Sequence, residues 1–293
     1  MTIKKISAVL MLSVLPLGVL TAQEAKNYLP KAGDFAIGID MQPIYSFFGN
    51  MANGDAGNGL ATFGGEEVLN YSNNVTIMGK YMLDNTTALR VNVGIEKNID
   101  HSFSYSLDDL KFFENPLSEQ NVEDGYKQDY TTFSIAAGME FRRGNNRIQG
   151  YCGADLVLAV YKDKYTFQYG NAVTSINQNP SRTNYLTAGS VNVTPVGYWT
   201  STFATETYEK EWFLGVAGKV GVEYFIVPQL SFGGEVSLLV GEYFDRGSYT
   251  KAEGFNPTTN QVETHTELVS PKSHFFRLAT DNLGGKLFMM FYF

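Results

Sequence analysis

Eight stretches of the chain alternate apolar and polar residues with a period of two. This is the pattern of β-strands whose two faces meet different surroundings. The segments between them lack convincing helical spacing. The predicted strands cover residues 35–47, 74–83, 87–95, 131–141, 148–160, 212–226, 230–240 and 283–293. The pattern therefore predicts an all-β protein.

The links between the predicted strands alternate between short and long. Three short links, at 84–86, 144–146 and 227–229, contain residues typical of tight turns. Four long polar links span residues 49–73, 96–130, 161–211 and 241–282, and their outer parts can extend the strands as ribbons. Such alternation predicts an antiparallel up-and-down meander, with short periplasmic turns at one end and long extracellular loops at the other.

The two faces of the predicted strands differ in charge. No residue on the apolar columns is Asp, Glu, Lys or Arg. The opposite columns carry Asp40, Lys80, Arg90, Glu140, Asp155, Lys219, Glu223, Glu235 and Lys286. Arg or Lys at the middle of a bilayer costs about 2–4 kcal/mol, so charges belong on the inner face of a membrane barrel. The charge pattern predicts an eight-stranded transmembrane β-barrel.

Neighbouring strands offer opposite charges on this inward column. The expected pairs are Arg90 with Glu140, Asp155 with Lys219, Lys219 with Glu235, and Lys286 with Asp40 across the closure. An eight-stranded barrel has an interior that side chains can fill, and charges buried there must be paired. We expect a plugged lumen containing a charge network. A narrow pore and a proton or ion relay are the alternatives.

The last predicted strand presents Leu287, Met289, Phe291 and Phe293 on one face and Lys286 on the other. An apolar end that frays in water is unfavourable, whereas one that faces lipid is not. The pattern resembles the C-terminal insertion signal of bacterial outer-membrane β-barrels. This resemblance implies that the barrel-assembly machinery acts on the strand during insertion.

Residues 1–22 have the three parts of a secretory signal peptide. Two lysines precede an apolar run over 6–20, and Ala22 is a small residue at the expected cleavage point. Cleavage would leave 23–293 as the outer-membrane barrel domain. Because the leader holds two lysines and no acid, its removal would change the net charge from −8 to −10.

The composition narrows the possible functions. Charged residues make up 18% of the chain, against roughly 25% in soluble domains, and the net charge is acidic. We therefore expect no nucleic-acid partner. The single cysteine, Cys152, excludes an intramolecular disulfide framework and a cysteine-rich metal site. A secreted β-sandwich shares much of this composition and is the alternative outside the membrane.

Catalytic and metal-binding patterns are weak. His101 with Ser102 or Ser104 and Asp108 could imitate the Ser/His/acid arrangement of lipid A deacylases and palmitoyltransferases. No matching motif stands at the corresponding strand positions, so we expect no enzyme activity. The acidic pairs of the same loop lack EF-hand spacing, and we expect neither a metal nor a cofactor.

The third long link is rich in aromatic residues among Asn, Ser and Thr: Tyr165, Phe167, Tyr169, Tyr185, Tyr198 and Trp199. Such mixtures can form a binding surface, here for a protein or glycan partner. The alternative is that they extend the hairpin of the fifth and sixth strands and pack on its neighbours.

Taken together, these features resemble the small outer-membrane barrels of the OmpA/OmpX type. The opening AGDFAIGIDMQPIYSFF at 32–48 is similar to barrel proteins abundant in Bacteroidetes. The resemblance covers 23–293 and rests on pattern rather than on a specific motif. It implies the outer membrane of a Gram-negative bacterium, contact with outer-membrane lipid and no catalytic residues. No peptidoglycan-binding domain follows the barrel in this sequence, so we do not expect a cell-wall tether.

The sequence thus leads us to expect a non-enzymatic barrel with a filled lumen. It would act in membrane integrity, or in surface or partner binding through its extracellular loops. A narrow pore or a transporter of a hydrophobic solute is the second hypothesis, and a lipid-modifying outer-membrane enzyme is the third.

Overall fold

The computed structural model describes residues 28–41, 44, 51, 75–183 and 197–293. They contain ten strands and one short helix: β1 Phe35–Asp40, β2 Val75–Met82, β3 Thr87–Leu107, α1 Asp109–Glu114, β4 Asn121–Asn145, β5 Ile148–Gln168, β6 Phe203–Val227, β7 Leu230–Asp245, β8 Ser248–Asn256, β9 Gln261–Ser270 and β10 Ser273–Tyr292. The prediction of an all-β antiparallel protein is confirmed. No helix in the described segments is both long and apolar enough to cross a membrane.

All ten strands belong to one antiparallel sheet. The hydrogen-bonded order is β5-β4-β3-β2-β1-β10-β7-β6-β8-β9, and β5 also pairs with β6. Eight strands are thereby paired in a ring that closes through β1 and β10. Strands β8 and β9 form a hairpin beyond this ring, with β8 paired to the outer part of β6.

The short links lie at one end of the ring. Between β2 and β3, the Asp84 carboxylate accepts hydrogen bonds from the Thr86 backbone N–H and hydroxyl, at 2.6 and 2.7 Å. Between β4 and β5, the turn falls at Asn146 and Arg147 and not at the predicted 144–146. Asn146 has a φ of 56°, a left-handed conformation that asparagine adopts more readily than most residues.

The strands are longer than the sequence pattern predicted. Strands β3 and β4 pair continuously from Thr87↔Phe141 to Leu107↔Asn121, far beyond the predicted 87–95 and 131–141. The predicted link at 241–282 contains β8, β9 and part of β10. The sequence suggested such ribbons but not their extent, because their outward columns mix polar and apolar residues and so lose the clear alternation. The first strand was predicted over 35–47, but β1 ends at Asp40 and Met41 is not part of a strand. Most of the remaining predicted residues lie outside the described part of the chain.

Side-chain exposure alternates along the ring strands near the short turns. Ile37, Val91 and Val220 are 50%, 42% and 64% exposed on the outward face. On the inward face Arg90 and Glu140 are only 3% and 0% exposed. Alternate residues of a strand point to opposite faces, so each strand places its apolar column outside and its charged column inside.

The closure between β1 and β10 is short. Its register runs from Ala36↔Tyr292 to Asp40↔Phe288. The aromatic rings of Phe35 and Phe293 stack with centroids 5.0 Å apart, and the two residues exchange backbone hydrogen bonds. The pairing of β10 with β7 is irregular between Leu278 and Leu283. Even-numbered residues of β10 face outward before this irregularity, and odd-numbered residues face outward after it.

Candidate functional site

The candidate site is a set of charged side chains inside the ring, near the short turns. It joins four cations and four carboxylates, which we call the charge network: Lys80, Arg90, Arg142, Lys219, Glu140, Asp155, Glu223 and Glu235. All are buried except Lys219, which is nearly so. Charges at this depth are tolerated only when they are paired and hydrogen-bonded.

The half of the network closer to the short turns is a square of alternating charge. Lys80 Nζ lies 3.2 Å from Glu140 Oε1 and 3.1 Å from Glu223 Oε2. Arg142 reaches the same two carboxylates, with Nη1 2.6 Å from Glu140 Oε1 and Nη2 2.5 Å from Glu223 Oε2. Each carboxylate is therefore held between two cations.

The second half repeats this arrangement. Arg90 Nη1 lies 2.7 Å from Glu235 Oε2, and its Nε lies 3.4 Å from Asp155 Oδ2. Lys219 Nζ lies 2.7 Å from Asp155 Oδ2 and 3.3 Å from Glu235 Oε1. Arg90 Nη1 also lies 3.1 Å from Glu140 Oε2 and so connects the two squares.

Neutral side chains complete the coordination of the carboxylates. The Tyr292 and Ser231 hydroxyls donate to Glu223 at 2.8 and 2.5 Å. The Tyr151 hydroxyl donates to Glu235 Oε2 at 2.8 Å. The network thus links basic and acidic side chains from strands that are distant in sequence.

Two glycines lie beside the network, in the registers Arg90↔Gly138 and Glu140↔Gly153. The atoms nearest to a Cβ at either position would be backbone atoms of the neighbouring strand, and a Cβ at Gly138 would also lie 2.5 Å from Asp155 Oδ1. These glycines therefore allow neighbouring strands to approach closely next to the charged side chains.

Packed aromatic and aliphatic residues lie on either side of the network. Phe288, Met290 and Phe225 are buried near the short turns, while Phe213 and Tyr243 belong to a second cluster farther along the interior. Between that second cluster and the network is a cavity of about 80 Å³, lined by polar side chains, including Lys219 and Lys286, and by apolar ones such as Val157 and Leu239. A partly polar cavity of this size can hold a few water molecules.

The four ion pairs expected from the sequence all lie within 4 Å. Their distances are 3.1 Å for Arg90–Glu140, 2.7 Å for Lys219–Asp155, 3.3 Å for Lys219–Glu235 and 3.6 Å for Lys286–Asp40. The structure also joins Lys80 and Glu223, at 3.1 Å. All nine charges named from the sequence therefore have an opposite charge beside them.

The sequence interpretation missed Arg142, Tyr151, Ser231 and Tyr292. Arg142 lies one position past the predicted strand end at 141, on the same column as Glu140, so a longer strand would have included it. The three hydroxyls lie on inward columns too, but neutral polar residues carry no distinctive signal in a pattern read from charge.

The aromatic residues of the third long link do not form one surface. Tyr165 and Phe167 pack on Tyr126, with ring centroids 5.9 and 5.6 Å apart, and Tyr169 packs edge-on against Phe203 at 5.5 Å. These three therefore extend and cross-link the ribbons.

The other three residues of that aromatic set lie apart from this cluster. Trp199 contacts Tyr198 and His265 edge-on, with ring centroids 6.4 and 6.5 Å apart, and Tyr198 is 55% exposed. Tyr185 lies outside the described residues.

The Ser/His/acid combination is not assembled. His101 belongs to β3, where the strand alternation places Ser102 and Ser104 on the opposite face. Asp108 instead caps α1, accepting a hydrogen bond of 3.1 Å from the Lys111 backbone N–H. Within the described part of the chain, no group of three or more His, Cys, Asp or Glu residues is placed to hold a metal ion.

The apolar column of the final strand faces outward. Phe291 is 43% exposed and Phe293 66%, while Leu287 and Met289 are half-buried. The intervening Phe288, Met290 and Tyr292 point into the ring and are buried.

The sequence matches no family model and no curated protein. Among solved structures, it is similar to the outer membrane protein OprG from Pseudomonas aeruginosa, with 12% identity over 91% of this chain and 99% of that chain, and a TM-score of 0.33. It is also similar to outer membrane protein W of E. coli, with 12% identity over 90% of this chain and 100% of that chain, and a TM-score of 0.30.

Proposed function

We propose that this protein is an integral barrel of the outer membrane of a Gram-negative bacterium. It is an eight-stranded up-and-down barrel with short periplasmic turns, long extracellular loops and a lumen filled by side chains. It is not an enzyme. It serves membrane integrity, or the binding of a surface partner through its loops.

The observation that carries this proposal is the inverted distribution of charge and apolar area near the short turns. The outward columns there expose large apolar residues on every ring strand: Ile37, Ile77, Leu89, Val91, Met139, Leu156, Val216, Val220, Val222, Val236 and Phe291. The inward columns hold the charge network. Exposed apolar area this extensive is unfavourable in water and favourable in lipid.

The ring of strand pairings also supports the membrane location. In lipid, every backbone N–H and C=O needs an internal partner, and only helices and closed sheets supply one throughout. Each of the eight ring strands pairs with a neighbour on both sides. The predicted signal peptide at 1–22 lies outside the described residues and remains part of the proposal.

Cell fractionation tests the location. The unaltered chain is expected in the outer-membrane fraction, and its mobility in detergent gels should change on heating, because a closed barrel resists unfolding until boiled. A mature chain that starts at Gln23 would support signal-peptide cleavage. Recovery of the protein entirely in the soluble fraction would overturn the proposal and favour the secreted β-sandwich.

Planar-bilayer recording tests the filled lumen. The charge network and the Phe213 cluster occupy the interior, so we expect no steady conductance from the unaltered protein. Replacing Lys219→Met should leave it non-conducting. A steady conductance that disappears in this variant would favour the narrow pore and overturn the filled lumen. A lipid-hydrolysis assay with the same preparation tests the expectation of no enzyme activity.

Capture experiments test the role of the loops. Surface partners should bind the protein with its loops intact and be lost after surface proteolysis that leaves the barrel heat-modifiable. Equal capture before and after proteolysis would contradict loop-mediated binding. Normal envelope permeability in a deletion strain would contradict a role in membrane integrity.

A further inference from the structure

A groove lies on the outward face of β6, β7 and β10. It is located where the exposed apolar columns near the short turns give way to the ribbons. Its volume is about 490 Å³, and Leu158, Leu214 and Phe244 form part of its wall. These three are 37%, 46% and 39% exposed. Arg246, Lys272 and His274 line the same groove, so one end is apolar and the other is cationic.

Trp212 lies between these two ends. Its ring centroid is 4.8 Å from Lys210 Nζ and 5.9 Å from Arg246 Cζ, both positioned as cation–π contacts. The indole Nε1–H is buried and has no hydrogen-bond partner in the described residues. A buried donor without an acceptor is unfavourable and uncommon in folded proteins. Trp212 also lines the groove, so this unpartnered donor belongs to a groove residue that contacts the cation of Arg246.

The connections at this end of the sheet bring the cations together. The Arg246 backbone N–H donates to the Lys210 carbonyl at 3.0 Å. Gly247, with φ of 79°, packs so closely on the next connection that a Cβ there would lie 2.5 Å from the Ser270 carbonyl and 3.3 Å from the Lys272 nitrogen. The end of β7 and the start of β10 thus bring Arg246 and Lys272 close to the part of β6 that contains Lys210.

Two acidic residues close to the groove, Asp245 and Glu242, have partners of their own. The Asp245 carboxylate lines the groove and accepts a hydrogen bond of 2.7 Å from the Gly247 N–H. Glu242 Oε1 lies 2.8 Å from His274 Nδ1. In the described part of the chain, Lys210, Arg246 and Lys272 have no carboxylate within 4.0 Å. Two groove-lining cations without an ion-pair partner in the described residues, Arg246 and Lys272, stand out in a chain of net charge −8.

We propose that this groove binds the phosphate-bearing headgroup of a membrane lipid. The phosphate accepts hydrogen bonds from Arg246, Lys272 and the Trp212 indole, and the acyl chains lie along the outward apolar columns of β5, β6 and β7. The combination of cations, a free donor and an adjoining apolar wall matches an anionic amphiphile. This inference rests on the proposed membrane location, because acyl chains lie beside the groove only if the apolar face contacts lipid.

A fluorescence titration locates the site. The chain has two tryptophans, so a Trp199→Phe background leaves Trp212 as the sole indole. Dilauroyl phosphatidic acid added to this protein in a neutral detergent should change the Trp212 emission in a saturable way. Dilauroyl phosphatidylcholine, with a compensated charge, and inorganic phosphate, without acyl chains, should each produce a much smaller change.

Native mass spectrometry with matched variants tests the residues. Arg246→Gln combined with Lys272→Gln should weaken phosphatidic acid binding about tenfold or more, because two charge-assisted hydrogen bonds are lost. Lys251→Gln removes an exposed cation on β8, away from the groove, and should leave binding unchanged. Heat-modifiable mobility of each variant shows that the barrel still assembles.

Several results would overturn the inference. Equal binding of the two lipids would remove the role of charge, and full competition by inorganic phosphate would indicate a free-anion site. A dimer lost in the double variant, with lipid binding retained, would identify a second copy as the occupant. If the double variant inserts into membranes and binds phosphatidic acid as the unaltered protein does, this site is refuted while the membrane proposal stands. If the unaltered protein is soluble, the membrane proposal itself is refuted.

Discussion

The sheet next to the short turns and the ribbons beyond it differ in which side chains they bury and which they expose. Near the turns, the inward face holds the charge network and the outward face is apolar. In the ribbons, the outward face carries ion pairs such as Lys97–Asp129 at 3.0 Å and Lys164–Glu206 at 2.8 Å. The ribbons bury an aromatic cluster instead, in which Tyr126 packs on Phe167.

This difference indicates where along the strands the surrounding medium changes between lipid and water. A chain in water buries apolar residues and exposes charges, whereas a barrel wall in lipid reverses the two. Strands β3 to β6 pass without interruption through both regimes, so one strand follows two burial patterns along its length. The reversal marks the proposed membrane boundary, and the lipid groove around Trp212 lies at this transition.

The largest expected effect comes from breaking the charge network. Arg142→Met leaves the Glu140 and Glu223 carboxylates with one cation fewer inside the ring. Breaking one partner of a buried ion pair costs about 3–5 kcal/mol, so the free energy of unfolding in detergent should fall by this amount. Arg143→Met is the matched control, because Arg143 is exposed on the other face. Equal stability of the two variants would show that the network does not support the fold.

Introducing a lysine on the outward face tests directly whether the strands near the short turns and the ribbons have different surroundings. Val220→Lys should reduce stability in lipid vesicles by about 2–4 kcal/mol, because the charge would lie within the hydrocarbon region. Phe103→Lys is the comparison: Phe103 is 61% exposed on a ribbon column that already contains His101, so the change should be within about 0.5 kcal/mol. Similar losses at both positions would place the membrane boundary elsewhere.

Asp109 offers a smaller effect confined to the ribbons. Its carboxylate is buried and accepts hydrogen bonds from the Ser181 backbone N–H at 2.8 Å and from Arg182 Nη1 at 3.0 Å. Burial alone raises the pKa of Asp109, but these hydrogen bonds outweigh it and lower the pKa below its ordinary value of 3.8. The contribution to stability is therefore present above this value and is lost as the pH falls through the lowered pKa.

Asp109→Asn should weaken the contact between α1 and residues 181–182 by about 1–2 kcal/mol, because hydrogen bonds to a charged group are lost. Limited proteolysis near 181–182 should accelerate in the variant at neutral pH, and in the unaltered protein only under acid conditions. Asp108→Asn is a control that retains an N-cap acceptor. Acceleration in the unaltered chain that begins well above pH 3.8 would contradict the assigned pKa direction.

The smallest equilibrium effect is expected at the closure. Phe293→Ala removes the ring that stacks on Phe35 and should cost about 0.5–1.5 kcal/mol, with slower assembly into membranes. Phe113→Ala, at a similarly exposed position of α1, should leave the assembly rate unchanged. Unchanged assembly of the Phe293 variant would count against the predicted insertion signal.

Much of the ring was readable from periodicity, whereas the extent and pairing of the ribbons were not. Strand β5 begins at the predicted Ile148, and β7 begins at the predicted Leu230, because apolar alternation and turn residues coincide there. The outer part of β4, from Asn121 to Tyr130, follows a polar sequence whose strand form depends on pairing with β3 and β5. Propensity alone does not supply that pairing.

The sequence by itself determined which face each charge occupies, since strand geometry sends alternate residues to opposite sides. It also suggested partners between neighbouring strands, such as Arg90 with Glu140. Only the tertiary structure decided the contacts across the ring. Lys80 meets Glu223 and Arg90 meets Glu235 because the sheet curves back on itself, and the diameter of the ring sets which side chains reach one another. Those distances depend on closure, which no local pattern encodes.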